Sequence, residues 1–167
     1  MNTIIQPQII VPILLLLLQS IVLLFVSVTI LRSLKILKVP YAGMEYSQII
    51  LASAFIFGIL FISSAGVPAL FQSFKIFQNR GTDVIANTFS KFSQFFLIIV
   101  FFEIIYSMIF LFLSAIFTGN KKFKDVEEGN IPVSLLVSAI TISFAILIKL
   151  IGAEIVEWFI PEYISIR

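Results

Sequence analysis

Ile9 to Leu31 runs for 23 residues without one charged side chain. As an α-helix rising about 1.5 Å per residue, such a run crosses a hydrocarbon core about 30 Å thick. Three further apolar runs follow: Ser47 to Val67, Phe92 to Phe117, and a last one that begins near Ile131. The chain is 60% hydrophobic and 12% charged, with a mean hydropathy of +1.13. Soluble domains average about 45–50% apolar and about 25% charged residues. The expectation is therefore an all-α integral membrane protein with four transmembrane helices, which consume most of the 167 residues. No Lys or Arg precedes the first run and no small-residue cleavage pattern follows it, so it is read as a retained span rather than a secretory signal.

The polar stretches divide these runs. Arg32 to Glu45 is a basic first loop punctuated by Pro40 and Gly43, and Gly81 to Lys91 is the stretch polar enough for a second. Gly119 to Asn130 is a charged third loop, after which Pro132 stands in a first helical turn, where its missing N–H costs nothing. Phe71, Phe74 and Phe77, with Lys75 and Arg80, fit either a short interfacial helix or a continuation of the second span. Lys149 falls near the far end of the fourth span, where it can snorkel, and Glu154, Glu157, Trp158 and Tyr163 form an interfacial tail. Loops one and three hold six basic residues: Arg32, Lys35, Lys38, Lys121, Lys122 and Lys124. The excess of basic residues favours the cytoplasm for these loops and places both termini outside it.

An internal echo suggests how the spans are related. Ser53-Ala54 recurs as Ser138-Ala139 and Gly58 as Ser143, each 85 positions on. The chain thus reads as two copies of helix, loop, helix, residues 1–80 and 81–167, forming two pseudo-two-fold related helical hairpins. The small pairs Ala54/Gly58 and Ala139/Ser143 are expected to bring spans two and four together, because small residues let helix backbones approach.

Glu103 lies near the middle of the third span. An ionised carboxylate there costs about 3 kcal/mol or more, so the group should face protein and be protonated or hydrogen-bonded. Ser107, Ser114 and Thr118 share its helical stripe. At an offset of 84, Gln19 of the first span maps onto Glu103, and the two are expected to satisfy each other across the pseudo-two-fold axis. Ser134, Ser138, Thr141, Ala145 and Lys149 form a further stripe on span four, most simply a packing face. The chain has neither Cys nor His, so disulfides, thiolate metal sites and the commonest general base are absent. No cofactor is expected, no nucleophile and base are visible for an enzyme, and a net charge of +2 is too small to argue for nucleic acid.

The run Phe123-Lys124-Asp125-Val126-Glu127-Glu128-Gly129-Asn130, opening onto the small and apolar segment Ile131 to Ile148, resembles the bacterial inner-membrane family typified by the YjfL proteins. That family similarly places acidic residues and Gly-Asn before a final small-residue helix, after an apolar span with a central amide, where this chain has Glu103. The resemblance covers Phe92 to Ile151, with Glu128, Gly129 and Asn130 as its distinctive loop-to-helix motif; in the first half Met44-Glu45 stands where Gly-Asn would be. It implies four membrane helices built as two hairpins in the bacterial inner membrane, and no established activity. The leading expectation is a protein embedded in the lipid bilayer that acts by association, with itself or with membrane or cytosolic partner proteins, in envelope stress or defence. The competing expectation is a small ion or proton conductor using Glu103 at mid-bilayer.

Overall fold

The computed structural model describes residues 7–33, 46–80, 83–117 and 131–161. These form α1 (Pro7–Ser33), α2 (Tyr46–Ser63), α3 (Gly66–Arg80), α4 (Val84–Phe117) and α5 (Ile131–Glu157). Four helical stretches are long and apolar enough to cross a membrane, α2 and α3 counting as one. The all-α class and the four spans of the sequence reading are thus found. The basic first loop and the charged third loop, with Glu128, Gly129 and Asn130, lie outside the described residues.

α2 and α3 are two segments of one path broken at Ser64-Ala65. Pro68 cannot donate to a carbonyl in the preceding turn, so a continuous helix would leave one unpaired there. The break instead places Pro68 in the first turn of α3, Ala65 N donates to Ile62 O (2.9 Å), and Ser64 Oγ donates to Phe61 O (2.6 Å). α3 then descends along α4, burying Ala69, Leu70, Ser73, Phe74, Ile76 and Phe77 and leaving Lys75 and Arg80 exposed.

α4 begins earlier than the sequence suggested. Val84 to Lys91, read as loop from its polarity, is helical for two turns because Asp83 caps it: Ala86 N donates to Asp83 Oδ1 (3.2 Å) and Asn87 N to Asp83 O (3.1 Å). Thr88 is buried, while Ile85, Phe89 and Ser90 face outward. The resulting 34-residue helix is about 51 Å long at about 1.5 Å per residue, against about 30 Å of hydrocarbon. The surplus falls at the α3–α4 end, where Lys75, Arg80, Asp83 and Lys91 gather.

α4 packs antiparallel on the whole α2–α3 path. Phe55 of α2 meets Phe110 and Tyr106 at ring-centroid distances of 4.5 and 5.6 Å, and Gly66 at the start of α3 faces Ile99 one face lower. Further down, Ala69 and Leu70 share a cluster with Phe95 and Val156.

The most extensive interface joins α2 to α5, which packs the first half of the chain tightly against the second. The residues that α5 buries over this stretch are Ser134, Val137, Ser138, Thr141, Ala145 and Ile148. Each lies 86 positions after a buried α2 residue: Gln48, Leu51, Ala52, Phe55, Ile59 and Ile62 respectively. The echo seen in the sequence has an offset of 85, and on a helix one residue turns the side chain by about 100°. Spans two and four do pack closely, but the expected contact between Ala54/Gly58 and Ala139/Ser143 is corrected: Ala139 and Ser143 are exposed on the outer side of α5.

Candidate functional site

The buried pair Ala54/Gly58 faces α4, where Tyr106 has no exposed surface. The Tyr106 hydroxyl donates to the Ala54 carbonyl at 3.2 Å, and its ring lies over the Cα of Gly58 so closely that an added Cβ would overlap it. A Tyr hydroxyl among apolar side chains requires a partner. That rule was the available signal for Tyr106, a residue the sequence reading passed over.

Gln19 is buried, as an amide at mid-span should be, but its partner is not Glu103. Its Nε2 donates to Ser63 Oγ at 3.1 Å and so ties α1 to the last residue of α2. The expected pairing is corrected here, because it rested on a symmetric placement of spans one and three, whereas α1 is drawn to the break between α2 and α3. Glu103 is 6% exposed, and its Oε1 is buried with no hydrogen-bond partner. Ser107, one turn on, is half-buried and donates its hydroxyl back to the Glu103 carbonyl at 2.8 Å.

Glu103 and Ser107 line a cavity of about 460 Å³ between α1 and α4. Val22 and Val26 of α1, Ile59 of α2 and Val100 of α4 supply further wall. Val22, Val26, Ile104 and Met108 line it and are themselves exposed, so the cavity opens sideways, toward lipid in a membrane. Glu103 and Ser107 are the polar members among its described lining residues.

On the opposite flank, Lys149 is half-buried with its ammonium 3.9 Å from the centroid of the Phe61 ring. An aromatic face attracts a cation held near the end of a span, which gives Lys149 a contact within the bundle beside the snorkelling expected of it. The α5 stripe Ser134, Ser138, Thr141 and Ala145 is buried against α2. Thr141 Oγ1 donates to Val137 O (2.6 Å), and the Ser134 and Ser138 hydroxyls are buried without partners. No protein-family model, curated protein or solved structure matches the chain.

Proposed function

We propose that this multi-pass membrane protein works by lateral association within the bilayer, through the outer face of α5 that carries Ala139 and Ser143. The observation that supports this reading is the outward exposure of that small pair, one turn apart, well inside an apolar helix. Its one hydroxyl is turned back to its own backbone, Ser143 Oγ donating to Ala139 O at 2.9 Å. Small residues in such a position admit a second helix at close range, and packing rather than hydrophobic burial drives helix association in lipid. The second helix belongs to another copy or to a partner protein, acting in envelope stress or defence; the resemblance carried by Glu128, Gly129 and Asn130 goes with the bacterial inner membrane and implies no activity of its own. Ser143→Leu should reduce the oligomer or complex mass measured in mild detergent while changing the unfolding free energy of the single copy by no more than about 0.5 kcal/mol, as for other substitutions off the core. Unchanged mass would reject this face.

A conducting path through Glu103 is the competing reading. Within one copy the described lining beside Glu103 is apolar apart from Ser107, so such a path would draw its further polar groups from a second copy at the centre of an oligomer.

The same proposal places the first and third loops in the cytoplasm. The chain has no cysteine, so single cysteines at Ser33, Asn120 and Ala86 can be probed with a membrane-impermeant thiol reagent on intact cells. Ala86→Cys should label and the other two should not; the inverse pattern reverses the topology.

A further inference from the structure

The cavity between α1 and α4 has the size and chemistry of a ligand site. Its volume of about 460 Å³ lies within the range of about 300–1,000 Å³ typical of small-molecule pockets, which are mostly apolar with few polar groups. A transmembrane helix is too large for it. Its mouth is formed by lipid-exposed Val22, Val26, Ile104 and Met108, so a molecule dissolved in the bilayer enters without crossing water.

One wall holds an unmet demand. Glu103 is more than nine-tenths buried, and its Oε1 has no hydrogen-bond partner. Ser107, the other polar lining residue, has its hydroxyl committed to the Glu103 backbone, and Gln19, the nearest amide suggested by the sequence, is committed to Ser63. A buried polar atom left without a partner is costly in an apolar surrounding. A ligand that brings one hydrogen-bond donor on an apolar body removes that cost and fills the remaining wall with hydrocarbon.

We infer that this cavity binds a lipid-soluble molecule with a long apolar body and one uncharged hydroxyl, which donates to the Glu103 carboxyl after the carboxyl turns toward the cavity, since Oε1 as it stands has almost no accessible surface. An uncharged donor is the fit because, Glu103 and Ser107 apart, the described lining is apolar, and a charged group buried there would lose its hydration. The inference is independent of the association face, which lies on α5.

The test uses the full chain in lipid nanodiscs and a long-chain primary alcohol that carries a photoreactive diazirine, with the matching alkane as control. After illumination, labelled peptides from α1 and α4 are quantified by mass spectrometry. The alcohol should label cavity residues more strongly than the alkane. Val26→Trp, which narrows the mouth at a lipid-exposed position, should reduce that labelling. Glu103→Gln retains an acceptor and should keep labelling within about threefold, whereas Glu103→Leu should lower it by about tenfold, the effect of one buried hydrogen bond left unmade. Equal labelling by alcohol and alkane, or a folded Glu103→Leu protein that labels like the parent, would show a crevice filled by any lipid tail and overturn the inference. Loss of labelling in a folded Glu103→Gln protein would overturn it too, by showing recognition through charge. If Glu103→Leu does not fold, the Val26→Trp and Glu103→Gln results decide.

Discussion

Gly58→Ala should be among the most destabilising single-methyl additions available in this protein. The new Cβ would overlap the Tyr106 hydroxyl and ring, whose Cε1 lies 2.9 Å from that position. The ring cannot swing aside freely, since it is fully buried, stacked on Phe55 and hydrogen-bonded to Ala54 O. Overpacking of this kind typically costs about 1–3 kcal/mol, and the loss of the hydrogen bond adds to it. The other two buried glycines of the described helices provide an internal scale. At Gly66 a Cβ would meet the tip of Ile99 at 2.7 Å, a flexible end that can turn away, and at Gly152 it would meet Phe102 at an ordinary 3.4 Å. Thermal unfolding in detergent should therefore rank the losses Gly58→Ala first, Gly66→Ala second and Gly152→Ala last. Tyr106→Leu should relieve much of the Gly58→Ala penalty in the double variant. A Gly58→Ala protein as stable as Gly152→Ala would mean that α2 and α4 do not meet at Tyr106.

Ala145→Leu should disrupt the bundle from its other side. Ala145 has no exposed surface and belongs to the main apolar cluster with Phe55, Ile59 and Tyr106. Three extra carbons there force α5 away from α2 along their most extensive contact, a loss expected at or above the upper end of about 1–3 kcal/mol. Ser143→Leu, two positions earlier but on the exposed side, should leave stability almost untouched. Paired thermal melts of these variants test the burial register of α5 directly. A lower melting point for Ser143→Leu than for Ala145→Leu would return Ala139 and Ser143 to the helix interface and Ala145 to the lipid, and equal melting points would reject the register.

The contrast between Ala145 and Ser143 shows what a helix pattern conveys. Small residues at four-residue spacing can be recognised in α2 and α5, but both helices are apolar nearly all round, so hydrophobicity does not mark which face turns inward. In a soluble helix a charged outer face would remove that ambiguity; lipid removes the charge and with it the marker. Burial at Glu103, Gln19 and the Ser134–Thr141 stripe was foreseeable for a different reason, because polar groups are costly against hydrocarbon wherever they stand.

Which polar group meets which depends on tertiary placement. Gln19 reaches Ser63 because the chain breaks after α2 and α1 packs beside that break. Glu103 then remains beside the α1–α4 cavity with Oε1 unpartnered. The amino-acid order by itself determined four spans, their approximate limits and the inward demand of the mid-span Glu103 and Gln19, since length and solvation energy are local properties. Only the packed bundle decided the rotation of α5, the Tyr106–Gly58 contact and the partner of Gln19, because these depend on distances between residues remote in sequence.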